Sequence, residues 1–157
     1  MATPDADIAD FWFLVRKSAS LMDRAGEALF REGIGISMAQ FMVLSVVDAH
    51  PGHFNQQSVA DLLGLTKGTV SRQIDAASEA GLVVAGVSPT SRREKTIALT
   101  DAGTALVRRG DELLAVSNSG LFPRLDRDDL AATLRTLAAF TAAMEGTPNP
   151  PSAHLHH

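Results

Sequence analysis

The stretch from Asn55 to Thr100 limits the possible folds more than any other, because two short helical patterns, a glycine turn and a hairpin pattern follow one another without a break. Asn55 can cap a helix that runs to Leu63, with Val59, Leu62 and Leu63 expected on one face. Gly64 then ends it, since glycine turns left-handed without steric cost. A second helix starts behind Thr66, with Val70, Ile74 and Ala77 at i, i+4 and i+7 as its buried face, and Gly81 closes it. Lys67, Gly68, Ser71, Arg72 and Asp75 fall on the opposite face. Leu82 to Val87 is rich in valine and Thr96 to Leu99 alternates, so the two read as antiparallel strands around Ser88 to Lys95.

Helix, tight turn, helix and basic hairpin in this order are the layout of a winged helix-turn-helix, and that layout points to double-stranded DNA. Ala60, Gly64 and Val70 sit at the spacing the turn requires. The second helix offers small residues for close approach, hydroxyls and two cations, a surface suited to a major groove. Expected DNA contacts on it are Thr66, Lys67, Thr69, Ser71, Arg72 and Gln73, flanked by Ser37, Asn55 and Gln57. Arg92, Arg93 and Lys95 on the projecting wing suit a minor groove narrowed by A·T-rich sequence.

Charge agrees once it is read locally. The whole chain has 14 Lys and Arg against 18 Asp and Glu, net −4, a balance that argues against a nucleic-acid partner. Residues 1 to 65 hold 4 basic and 8 acidic side chains, residues 66 to 109 hold 7 and 4, and residues 110 to 157 hold 3 and 6. The positive charge is therefore concentrated where phosphate contacts would form.

Residues 69 to 75, TVSRQID, with Gly81-Leu82-Val83 behind them, then Arg92-Arg93, Ile97-Ala98-Leu99-Thr100 and Gly103, resemble the multiple-antibiotic-resistance regulator (MarR) family of bacterial transcription factors. The likeness runs from about Ile8 to Met144. It implies that Ser71 and Arg72 are the recognition-helix hydroxyl and arginine and that Arg93 is the wing-tip arginine. Two positions depart from the family pattern: Ser91 stands where an aspartate usually pairs with the wing arginines, and Ala76 where a basic residue is frequent. The resemblance also implies a homodimer whose first and last helices interlock and set two recognition helices about one DNA turn apart.

The flanking sequence fits that expectation. Ile8, Phe11, Trp12, Val15, Met22, Leu29 and Phe30 mark a long amphipathic helix from Asp7 to about Arg31, ended by Gly33 and Gly35. Ser37 with Gln40 reads as a capping box for a helix carrying Phe41, Leu44 and Val47 as far as Pro51-Gly52. Thr100 caps a helix with Leu106, Leu113 and Leu114 that stops at Pro123, and Asp126 caps a last one with Leu130, Leu134, Leu137 and Met144 on one face, ended by Gly146 and Pro148. The expected organisation is one mainly α domain with a small β-hairpin wing over 1–147, its DNA-binding unit at 36–100 and dimerisation helices at 7–32 and 101–146. A disordered tail at 148–157 follows, where His154, His156 and His157 read as solvated residues.

No apolar run reaches about 18 residues and the N-terminus is acidic, so neither a membrane span nor a signal peptide is expected and the cytoplasm is the natural compartment. Cysteine is absent, which excludes disulfides, thiolate metal sites and cysteine-based sensing. No catalytic motif is present, so no enzyme and no cofactor is expected. Asp48, His50, His53 and Asp61 have the residue types of a metal site, but the Pro51-Gly52 turn gives them no standard spacing. Trp12, Met22, Met38 and Met42 are candidates to line a pocket for a small aromatic or anionic effector, as the resemblance implies, although each also suits a core. The reading is a ligand-responsive homodimeric repressor on an inverted repeat. Its competitor is a winged-helix protein-interaction module without a specific DNA site, supported by the net acidity, Ser91 and Ala76.

Overall fold

The computed structural model describes residues 4–51, 55–87, 95–120 and 122–146. Six helices and one hairpin follow in the order α1 (Pro4–Ile34), α2 (Met38–Ala49), α3 (Gln56–Leu63), α4 (Lys67–Glu79), β1 (Val83–Val87), β2 (Lys95–Leu99), α5 (Asp101–Asn118), a 3-10 turn (Phe122–Arg124) and α6 (Arg127–Glu145). The chain divides into two compact units, residues 1–114 and 115–157, with the division inside α5.

In the first unit α2 is the hub, touching α1, α3, α4 and β2. Phe41, Val43, Leu44 and Val47 are buried along it, and each such side chain stabilises the fold by roughly 1.5 to 3 kcal/mol. Phe30, fully buried near the C-terminal end of α1, stacks on Phe41 with ring centroids 4.3 Å apart. Helix α5 comes close because it presents glycine: a Cβ at Gly110 would stand 2.2 Å from the Phe41 ring, and one at Gly103 would stand 2.1 Å from the Leu82 carbonyl oxygen.

The ends of α2 to α4 are set by side-chain oxygens. Ser37 Oγ accepts from the Gln40 N–H at 3.0 Å, Asn55 Oδ1 accepts from the Gln57 and Ser58 N–H groups, and Thr66 Oγ1 accepts from the Thr69 N–H. A further donor at the start of α2, the Met38 N–H, is taken by Glu27 Oε2 from α1 at 3.1 Å. That bond holds the Glu27 carboxyl below its ordinary pKa, helped by the neighbouring Arg31 guanidinium against the opposing effect of burial.

Three details differ from the sequence reading. Leu62 is 59% exposed and Ala60 is buried in its place, because the contact face of α3 is centred between Val59, Ala60 and Leu63, and Leu62 lies about 100° off it. Gly33 does not end α1; it is inside the helix, where a Cβ would stand 2.4 Å from Leu113, and Gly35 at φ +76° makes the turn. Helix α5 ends at Asn118 rather than at Pro123, which lies in the 3-10 turn.

Much of α1 lies outside the core. Ile8, Phe13, Leu14, Leu21 and Met22 are exposed along it, a run that the periodicity of the sequence identified only in part. In the second unit Asp126 caps α6 through the Asp128 and Asp129 N–H groups, and Leu134 and Met144 are exposed. Among the described residues no single helix is long and apolar enough to cross a membrane.

Candidate nucleic-acid interface

The two helices of the turn meet at α3 and α4, joined by Gly64 in the left-handed region at φ +64°. The Leu65 N–H returns to the Ala60 carbonyl at 2.8 Å, which fixes the angle at which α4 leaves. Val70, Ile74 and Ala77 are buried, as their spacing predicts. At 100° per residue, Arg72 then falls almost opposite that buried stripe. Lys67, Gly68, Arg72 and Asp75 are exposed, while Thr69, Ser71 and Gln73 are half-buried at the edges of the face.

Several of these side chains are already engaged. Thr69 Oγ1 lies 2.9 Å from Thr66 Oγ1, and Arg72 Nη2 donates to Thr69 Oγ1 at 3.3 Å. Gln57 Nε2 donates to Asp61 Oδ1 at 2.8 Å on the exposed side of α3. Asn55 and Ser37 are engaged as caps of α3 and α2. A Cβ at Gly68 would meet only Thr66 Oγ1, at 4.0 Å, so this first turn is open to close approach from outside.

The far end of α4 is tied to the hairpin and to α5. Gly81 turns at φ +71°. Thr100 Oγ1 donates to the Gly81 carbonyl at 2.7 Å and accepts from the Gly103 N–H at 3.1 Å, and the Thr100 N–H donates to the Leu82 carbonyl at 2.9 Å. Strands β1 and β2 pair antiparallel with Val83 opposite Leu99 and Val87 opposite Lys95. The base of the wing is thereby anchored to the helix that carries Arg72. Lys95 is the first residue of β2, whereas Arg92 and Arg93, with Ser91 and Glu94, lie outside the described residues.

The MarR family profile matches residues 34–94, the span that holds this turn, α4 and the start of the wing. Over this segment the chain is similar to the MarR family. Solved relatives agree in fold. CouR from Rhodococcus jostii RHA1, solved with p-coumaroyl-CoA, superposes with a TM-score of 0.77 at 23% identity, covering 84% of this chain and 92% of that one. Sco3205 from Streptomyces coelicolor, a MarR family transcriptional regulator solved with DNA, gives 0.78 at 16% identity over 96% of this chain and 95% of that one. A MarR regulator from Methanosarcina mazei Go1 gives 0.68 at 25% identity over 85% and 99%. No curated protein matches the sequence. The members of this family are transcriptional regulators, not enzymes.

Met38 and Met42 are half-buried on α2, Met38 with its sulfur against Gly26 of α1. Trp12 and Met22 are on the exposed part of α1, at 43% and 63% exposure. Fourteen residues of helix separate Trp12 from Gly26, about 21 Å, so the four do not gather in one enclosed cluster of a single chain. His50 directs Nδ1 to the Val46 carbonyl at 3.1 Å at the end of α2. Among the described residues no three acidic, histidine or cysteine side chains come together as metal ligands; His53 and the tail from residue 147 on, with His154, His156 and His157, lie outside them.

Glu27 is not legible in the sequence, because its partner Met38 is eleven residues away and on another helix. The clasp between Thr100, Gly81 and Gly103 joins three elements and is equally hidden. Its trace in the sequence is a threonine followed three residues later by a glycine just behind a strand.

Proposed function

We propose that this chain is a DNA-binding regulator of the MarR family, which acts as a homodimeric repressor on an inverted repeat and releases DNA when a small effector binds. One observation carries the DNA part of this reading: α4 is capped at Thr66, buried on one side through Val70, Ile74 and Ala77, and presents Arg72 almost opposite. In this reading Arg72 and Ser71 contact base edges, Lys67 and Thr66 meet phosphate at the helix N-terminus, and Thr69 and Gln73 border the contact. Ser37, Asn55 and Gln57 approach the flanking backbone, and Arg92, Arg93 and Lys95 enter the adjacent minor groove.

The dimer reading is supported by Ile8, Phe13, Leu14, Leu21 and Met22 on α1 and by Leu134 and Met144 on α6, all exposed in the single chain. Large apolar side chains left exposed in this number on one helix are surface that a partner can cover. A two-fold pair would set two α4 helices about one DNA turn, roughly 34 Å, apart. Residues 7–32 and 101–146 are the proposed dimerisation helices around a DNA-binding unit at 36–100. An effector of the aromatic or anionic kind held by CouR would sit beside Met38 and Met42, with Trp12 and Met22 reaching it within the dimer. Binding there would favour another separation of the two recognition helices. The proposed compartment is the cytoplasm, where the DNA is.

Selection of fragments from the organism's own DNA, followed by titration at several salt concentrations, tests this function. Recovery of an inverted repeat, with affinity falling about 10³- to 10⁵-fold between 50 and 200 mM salt for six to ten phosphate contacts, is the expected result. The competing protein-interaction reading rests on the net charge of −4, and it predicts no recovered site and little salt dependence.

A further inference from the structure

We propose that Thr69 is a positioning residue which holds the Arg72 guanidinium in its reading pose before DNA arrives. The inference rests on the reading of α4 as the DNA-facing helix and deepens it. Arg72 Nη2 donates to Thr69 Oγ1 at 3.3 Å. A guanidinium carries donors only, so the hydroxyl must accept there, and its own proton is free to point at another acceptor. The acceptor within reach is Thr66 Oγ1, 2.9 Å away. Thr66 Oγ1 also accepts from the Thr69 N–H at 3.1 Å and is the N-cap of the helix. Three residues spaced three apart therefore form one chain from the backbone to the cation, and bonds that point the same way along such a chain reinforce each other.

Each member gains something different from the arrangement. Thr66 is fixed because it is the cap. Thr69 is half-buried and β-branched, so few rotamers are open to it. Arg72 is exposed and long, and without a partner it would sample many rotamers that binding would have to freeze. The bond to Thr69 uses one N–H at the edge of the fork and leaves the others for a base. Holding a side chain in its bound conformation raises affinity by reducing the ordering cost on association. Because the gain reaches DNA only through Arg72, it is largest where the base contact is correct.

The test is Thr69→Val, which keeps the branched shape and the backbone N–H to Thr66 but removes the hydroxyl, beside Thr69→Ser, which keeps the hydroxyl. In free protein, ¹⁵N relaxation at Arg72 Nε should report an ordered side chain in wild type and Thr69→Ser and a mobile one in Thr69→Val. On the DNA fragment enriched by selection, Thr69→Val should bind roughly 2- to 12-fold more weakly, the cost of freezing one long side chain, with a smaller loss on scrambled DNA. Thr69→Ser should restore it, and in an Arg72→Ala background Thr69→Val should cause no further loss. Arg72 equally mobile in wild type and Thr69→Val would overturn the proposal. So would an equal loss with and without Arg72, which would make Thr69 a DNA contact in its own right. Wild type that holds Arg72 in order yet binds selected and scrambled DNA alike contradicts the DNA reading and with it the purpose of the relay, a failure distinct from absence of the hydrogen-bonded chain.

Discussion

Gly110 of α5 faces the Phe41 ring of α2 so closely that a Cβ on residue 110 would lie 2.2 Å from Phe41 Cε2. Phe41 is in turn stacked on Phe30, so this one glycine sets the distance between α5 and the pair of rings at the centre of the core. Gly110→Ala gains up to about 1 kcal/mol of helix propensity but forces the ring to move, which costs about 1 to 3 kcal/mol in a packed interior. The net expectation is a less stable protein. Thermal or urea unfolding checks it, and a variant as stable as wild type would show that the core yields more easily than its packing implies.

Gly68 makes the opposite case, because nothing but Thr66 Oγ1, at 4.0 Å, lies near its missing Cβ. Gly68→Ala should leave unfolding unchanged or raise stability by up to about 1 kcal/mol. The added methyl would stand on the exposed first turn of α4, where the proposed phosphate contact needs close approach. DNA affinity should therefore fall while stability does not, and comparison of melting with DNA titration separates the two effects.

Glu27 gives the fold a pH dependence whose sign is fixed. Its carboxyl, held below its ordinary value of 4.5 first by the Met38 N–H, releases its proton more readily in the folded state than in the unfolded one. The stabilisation is complete above the unfolded pKa and is lost as pH falls through the lower folded value. The effect is small, since the side chain is 41% exposed and solvent screens the pairing with Arg31. Glu27→Gln keeps an acceptor for Met38 without the charge. Wild type should exceed it in stability at pH 7, with the difference shrinking below about pH 4; a constant difference across that range would rule out the carboxylate as its source.

Assembly is tested on α6. Leu134 is 59% exposed in the single chain, so Leu134→Glu should leave the fold of one chain intact while weakening dimerisation. Sedimentation at micromolar concentration should show wild type as a dimer and the variant shifted toward monomer, with weaker DNA binding. A wild-type monomer that binds DNA fully would contradict the dimer.

The caps and turns were legible in the sequence because their physics is local. Ser37, Asn55, Thr66 and Asp126 each place an oxygen just before a helix, and Gly64, Gly81 and Gly146 each stand in the left-handed region just past one. The buried face of α4 was equally readable, since Val70, Ile74 and Ala77 keep the helical period. Leu62 was not, because an eight-residue helix does not reveal which side its neighbours will cover. Nor was the difference between Gly33 and Gly35, which rests on Leu113 far along the chain. Of the proposed DNA face, the residue types could be read, but the Thr66, Thr69 and Arg72 chain depends on rotamers that sequence does not state.

Sequence-specific reading of DNA by α4 is the central claim, and Arg72 is its sharpest point. The most direct measurement is the affinity of wild type, Arg72→Ala and Lys67→Ala for the selected fragment and for a scrambled one at a single salt concentration. Arg72→Ala should lose about 1 to 3 kcal/mol on the selected fragment and much less on the scrambled one, whereas Lys67→Ala should weaken both alike. Unchanged affinity of Arg72→Ala for the selected fragment would contradict the assignment of α4 as the recognition helix.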